Sequence, residues 1–170
     1  MSQTRHNVGF MFLDYLARRL GQKKFENSKK LEAEVLKTDN WLLVKPQTFM
    51  NNSGRSVAKT INFYKHKFSQ SFLVYDDLDI GFGKVKAVDK GPKKHNGVNS
   101  VLLGTTEKFV HLRIGILGES YFMIKGRGES VADDYILKEF SKEEKKKLEV
   151  IWERAWERLE KEISKIEEKK

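Results

Sequence analysis

Three short apolar runs set between helical periodicities constrain this chain most. Trp41-Leu42-Leu43-Val44, Phe72-Leu73-Val74-Tyr75 and Leu112-Arg113-Ile114-Gly115-Ile116 each have the length and side chains of a buried strand. Phe12, Leu13, Leu16 and Leu20 return at helical spacing and predict a helix over 8–20, stopped by Gly21. A second helix is expected from Asn52 or Ser53 to about Tyr64, burying Val57, Ile61 and Tyr64. A third opens at Asn96 or Asn99 and closes at Gly104. Alternation of strands and helices argues for an α/β layered fold, a single domain with three layers (α/β/α) around one mixed, twisted sheet. In such folds sites gather at the carboxyl ends of strands. From Ser141 the chain reads as one long charged helix whose apolar stripe is Leu148, Ile151, Trp152, Ala155, Leu159, Ile163 and Ile166. Residues 23–37 are polar, anchored only by Phe25, Leu31, Val35 and Leu36, and receive no element. With no repeat and no linker, residues 1–170 read as one domain.

The absence of cysteine excludes disulfides and thiolate chemistry. No apolar run approaches the roughly 20 residues of a membrane-spanning helix. The first residues carry no apolar signal core, so a cytoplasmic protein is expected. The net charge of +9 comes from 33 basic and 24 acidic residues. Residues 141–170 hold ten of the basic and nine of the acidic ones, so the positive excess belongs to residues 1–140. An RNA, bound through its phosphates, is the natural partner for that excess.

Chemistry concentrates in four places. Lys45-Pro46-Gln47-Thr48-Phe49-Met50-Asn51-Asn52-Ser53-Gly54 carries two adjacent amides from a strand into a helix start. His6-Asn7 and His95-Asn96 pair imidazole with carboxamide, and Tyr75-Asp76-Asp77-Leu78-Asp79 reads as an acidic turn after the second strand. A histidine near neutral pKa takes a proton from water, and a carboxylate beside it holds its tautomer. Asp76 is the partner best placed for that. Amides such as Asn51 and Asn96 can donate to an oxyanion or grip a peptide backbone without adding charge. No Ser or Thr stands in a nucleophile elbow, so direct attack by water is favoured over a covalent intermediate. Taken singly, each residue also has a plain structural reading: a solvated histidine beside Arg5, aspartates ending a strand, asparagines capping a helix.

The order of these motifs closely resembles the bacterial-type peptidyl-tRNA hydrolases. The matching stretches are Thr4-Arg5-His6-Asn7-Val8-Gly9-Phe10, the block from Lys45 to Gly54, Asp76-Asp77-Leu78-Asp79, His95-Asn96-Gly97, Leu112-Arg113-Ile114-Gly115-Ile116 and Asp134-Tyr135-Ile136-Leu137. The resemblance implies hydrolysis of the ester that joins a peptide to the 3′ ribose of tRNA, by a monomer using no metal and no organic cofactor. It assigns His6 as base and Asp76 as the acid that orients it. Asn51, with Met50 beside it, positions substrate or water. His95 and Asn96 contact the peptidyl part and the 3′ end, and Asn7 neighbours the base. Arg113, and Lys86 after a one-residue gap, fall where the family clamps the tRNA 5′ phosphate.

Three departures accompany the resemblance. Family members carry a strand and a Gly-Asn-Pro-Gly loop ahead of Thr-Arg-His-Asn, whereas here Met1 stands three residues before Thr4, so the expected fold lacks that first strand. Gly91-Pro92-Lys93-Lys94 replaces a glycine-rich approach to the second His-Asn pair, and His111 stands where arginine is usual. Two other readings compete. One is a non-catalytic RNA-binding relative acting in splicing or RNA processing, or an inactive truncated form. The other is a metal-dependent phosphohydrolase using the acids of residues 76–79.

Overall fold

The computed structural model describes residues 3–22, 24–65, 69–92, 94–123 and 129–168; Lys93, one of the departures above, lies outside them. In chain order these residues form a 3₁₀ turn (Arg5–Asn7), α1 (Val8–Arg19), β1 (Glu26–Ser28), β2 (Ala33–Lys37), β3 (Leu42–Pro46) and a second 3₁₀ turn (Met50–Asn52). There follow α2 (Ser53–Tyr64), β4 (Ser71–Gly81), β5 (Val85–Val88), α3 (Asn96–Gly104) and β6 (Phe109–Leu117). Three helices close the chain: α4 (Glu119–Phe122), α5 (Glu129–Ile136) and α6 (Lys142–Glu167). The mixed α/β class and the long C-terminal helix are both present. The described strands lie in two three-stranded sheets, β1-β2-β3 and β4-β6-β5. The chain divides into two compact units, one of Met1–Phe12, Phe72–Lys90 and Val110–Lys170, the other of Leu13–Ser71 and Gly91–Phe109.

In the first unit β6 is the central strand, and its Leu112, Ile114 and Ile116 are fully buried. Strand β5 pairs antiparallel with it, placing Lys86 opposite Arg113 and Val88 opposite His111. Helix α6 buries Leu148, Ile151, Trp152, Ala155 and Leu159, and Trp152 meets Phe12 with ring centroids 6.2 Å apart. Further along, Ile163 and Ile166 are only half-buried, as is Trp156. The helix starts at Ser141 with a complete capping box: Ser141 Oγ accepts the Glu144 N–H, and Glu144 accepts the Ser141 N–H.

The acidic run of residues 75–79 is not a turn. Strand β4 continues through it to Gly81, with Tyr75, Asp76 and Asp77 all buried. Burying carboxylates in a strand requires partners for them, and both have one. Asp76 meets His6 and Asp77 meets Arg113. Because neighbouring strand residues point to opposite faces, Asp76 lies on the face opposite Asp77, so the acids of 76–79 do not all converge on one point.

In the second unit residues 26–37 form strands despite their polarity. They pair as an antiparallel meander with Glu26 opposite Val35 and Val35 opposite Val44. Leu31, Ala33 and Val35 pack with Leu42, Val44 and Tyr64 into a small core. Helix α2 buries Gly54, Ser56 and Thr60 most completely, while the expected Val57, Ile61 and Tyr64 are half-buried. That small-residue face lets α2 and α3 approach backbone to backbone: a Cβ on Gly54 would lie 1.9 Å from Ser100 O. No helix among the described residues is long and apolar enough to cross a membrane.

Candidate active site

His6 sits in the middle of the Arg5–Asn7 turn, with Nδ1 2.9 Å from Asp76 Oδ1. Two local features put it there. Gly9, in the first turn of α1, lies so close to β4 that a Cβ on it would fall 2.5 Å from Val74 O. Arg5, on the other side, is buried, and its guanidinium is anchored through both Nη groups while Nε makes no hydrogen bond among the described residues. Its Nη1 donates to Glu139 O at 2.7 Å and Lys138 O at 3.3 Å, and Nη2 donates to Glu144 Oε2 at 2.6 Å. The guanidinium stands 4.3 Å from the centroid of the Tyr135 ring and 5.4 Å from that of Phe140. The Arg5 backbone N–H adds a bond to Lys138 O at 3.0 Å. A turn clamped on both flanks holds the imidazole against Asp76 with little freedom.

The electrostatics favour a ring more basic than a free imidazole. The hydrogen bond to Asp76, helped by its charge, raises the His6 pKa above 6.5, against the opposing effect of burial. A carboxylate can only accept, so neutral His6 carries its proton on Nδ1 and its lone pair on Nε2. The side chain keeps 22% exposure, whereas that of Asp76 keeps 7%. Such a ring can pull a proton from water at Nε2 and return it later. Asn7 is half-buried in the same turn.

The opposite face of β4 carries the other pairs of this unit. Arg113 Nε donates to Asp77 Oδ2, and Lys86 lies opposite Arg113 on β5, so Asp77, Arg113 and Lys86 form one row across the sheet. The Arg113 bond uses Nε, and its two Nη groups make no hydrogen bond among the described residues. Lys86 is exposed. His111, the departure with no evident role in the sequence, is buried and its Nδ1 lies 3.0 Å from the Tyr75 hydroxyl. Burial, then the charge of Arg113, lowers the His111 pKa below 6.5, so it stays neutral.

The second unit brings together Met50, Gly97 and His95. A Cβ on Gly97 would lie 2.9 Å from Met50 Cγ and 3.4 Å from His95 Cε1. His95, rather than Asn96 or Asn99, caps α3: its Nδ1 accepts the Val98 N–H at 3.2 Å. That bond leaves the neutral ring with its proton on Nε2, a donor. Asn96 is the exposed first residue of α3. Asn51 and Asn52 are exposed in the Met50–Asn52 turn, and Asn52 makes no side-chain capping bond to α2. These amides are therefore not used as helix caps. Gly54 N donates to Ser100 Oγ at 3.0 Å, which ties the motif to α3. Sequence reasoning missed Arg5, Tyr135 and Glu144 as supports of His6; the signals were the placement of Arg5 and Tyr135 within recognisable motifs and the Ser-x-x-Glu spacing of Ser141 and Glu144.

The family model for peptidyl-tRNA hydrolase matches residues 1–170. Peptidyl-tRNA hydrolase from Caldanaerobacter subterraneus subsp. tengcongensis is 40% identical over 162 residues, covering 89% of this chain and 80% of that one. The enzyme of the same name from Thermoanaerobacter sp. (strain X514) is 38% identical over 151 residues, with 84% and 75% covered. Among solved structures, a variant of the peptidyl-tRNA hydrolase of Acinetobacter baumannii superposes with a TM-score of 0.74 at 26% identity, over 96% of this chain and 84% of its own. On these grounds the chain belongs to the peptidyl-tRNA hydrolase family.

Proposed function

We propose that this chain hydrolyses the ester between a peptide and the 3′ ribose of tRNA, with His6 activating the attacking water. The observation that carries the mechanism is the His6–Asp76 pair: a clamped imidazole of raised basicity with Nε2 as its acceptor. As the water oxygen bonds to the ester carbonyl carbon, its proton passes to His6 Nε2. Asp76 stabilises the imidazolium so formed. When the carbon–oxygen bond to the ribose breaks, the same proton goes to the departing 3′ oxygen. The products are a peptide acid and a tRNA with a free 3′ hydroxyl, and His6 is neutral again.

Binding roles follow the resemblance. The exposed Asn51 carboxamide, Met50 beside it, the Nε2–H of His95 and the Asn96 amide hold the peptide and the 3′ end. Asn7 supports the base from its own turn. Lys86 and the free Nη groups of Arg113, facing one another across β5 and β6, take the 5′ phosphate. All these residues come from one chain, so a monomer suffices, and a cytoplasmic location goes with a role in recycling tRNA from stalled translation. The competing non-catalytic RNA binder is disfavoured because the relatives reported above are named as hydrolases.

The test is release of N-acyl-amino acid from N-acyl-aminoacyl-tRNA by the purified chain, beside His6→Ala and beside free aminoacyl-tRNA. Cleavage of the acylated substrate that is lost in His6→Ala while tRNA binding persists is the expected result. Binding of tRNA without turnover by a folded chain would instead establish the non-catalytic reading.

A further inference from the structure

Helix α6 carries eight basic and eight acidic residues, yet four of its cations fall on one side. Arg154, Arg158, Lys161 and Lys165 follow one another at spacings of four, three and four, so they share one side of the helix. Arg154 is used structurally, donating to Gly83 O at 2.9 Å. The other three line a groove of about 350 Å³ between α6 and β5, together with Lys86 and Glu162. Glu162 pairs with Lys165 at 2.6 Å. Lys86, Arg158 and Lys161 have no acidic partner among the described residues. Three uncompensated cations thus converge on a concave surface, and Arg158 to Lys165 extends it about 10 Å along the helix.

We infer that the β5–α6 groove binds the sugar-phosphate backbone of tRNA, continuing from Lys86 along Arg158 and Lys161. The inference rests on the proposed peptidyl-tRNA substrate and adds a contact surface to it. Charge complementarity selects the occupant. A phosphate backbone supplies regularly spaced anions that three exposed cations can contact together, and a guanidinium fork suits phosphate oxygens. Repulsion between unpaired cations in one groove is relieved when an anion enters it. The groove would therefore grip RNA at a distance from the ester, adding to affinity rather than to the chemical step.

The test compares wild type with the double variant Arg158→Gln/Lys161→Gln, and with Lys142→Gln/Lys147→Gln as a control. The control removes two exposed lysines of the same helix that do not line the groove. Binding of deacylated tRNA is measured as a function of salt, and cleavage is followed on full-length N-acyl-aminoacyl-tRNA and on a short 3′ fragment bearing the same ester. The expected result is tRNA affinity reduced about tenfold or more at low salt, with the slope of log K against log salt shallower by about two, one unit for each lost phosphate contact. The cleavage deficit should be larger on full-length tRNA than on the fragment. An unchanged salt slope in the folded groove variant overturns the proposal, as does an equal change in the control, which would assign the effect to net charge. Binding to anionic lipid vesicles with no loss of tRNA binding overturns it too. Because binding is read without turnover, failure of wild type to cleave either ester would sink the hydrolase reading and leave the groove result standing.

Discussion

The His6–Asp76 bond makes a definite statement about pH. A base with raised pKa is protonated and idle below that value, so kcat/KM should rise with pH through a midpoint above 6.5. Replacing Asp76 by Asn removes the cause of the rise, and burial then dominates. The midpoint should move down while the rate falls about 10²–10⁴-fold, because the proton is no longer held on Nδ1. A pH–rate profile of Asp76→Asn with its midpoint unmoved would show that another group titrates. The folding linkage has the same origin. His6 binds its proton more tightly when folded, so its contribution to stability is complete below pH 6.5 and disappears as pH rises through the folded value. His111 behaves oppositely. It is neutral when buried, so what it contributes is present above pH 6.5 and is lost as pH falls below it. His111→Ala removes the buried bond to the Tyr75 hydroxyl and the packing of the two rings, and should cost about 1–3 kcal/mol at pH 7.5. Urea unfolding at pH 5.5 should show a smaller cost, since the wild type has by then lost that contribution.

Elements position these residues through close backbone approach, and that is where single methyl groups should count. Gly9→Ala must push α1 away from Val74 and so draw His6 from Asp76. The expected loss is about 1–3 kcal/mol of stability. Turnover should drop further than the unfolded fraction explains, a difference that melting curves and kcat at a low temperature together resolve. Strands and helices with a clear period were legible in the sequence: α1, α2, α3, α6, β3, β6 and the first half of β4 lie where the apolar spacing put them. The meander β1-β2-β3 was only one-third visible, because β1 is Glu-Asn-Ser and β2 sets Ala33, Val35 and Leu36 between charged residues with neither a continuous apolar run nor a clean alternation. Strand β5 was hidden for the same reason, since Lys86 faces solvent. The second half of β4 looked like a turn because aspartates usually solvate. What reversed that was tertiary pairing with His6 and Arg113, which no local pattern encodes. The candidate residues themselves were legible through motif order, whereas their supports were not. Arg5 read as a surface neighbour, and its partners lie more than 130 residues away.

At the scale of the whole molecule, one carboxylate joins distant parts of the chain. Glu144 Oε2 accepts from both Arg5 Nη2 and the Ser141 N–H, so the cap of α6 and the turn holding His6 share an atom. Glu144→Ala strands the buried Arg5 charge and opens the cap, at an expected cost of about 3–5 kcal/mol. Glu143→Ala, one residue away and exposed, should change stability by less than about 0.5 kcal/mol. If the two variants unfold alike in denaturant, the shared atom is not a support. The separation of 139 residues between Arg5 and Glu144 also has a consequence for biosynthesis. During translation His6 and Asp76 both leave the ribosome early, but the carbonyls and the carboxylate that fix Arg5 come from residues 138–144. Until those emerge, the turn beside the proposed base lacks one of its two clamps. A growing chain is itself a peptide esterified to tRNA, so the order of synthesis delays this hydrolase's competence until residues 138–144 of its own ester-linked polypeptide have been made.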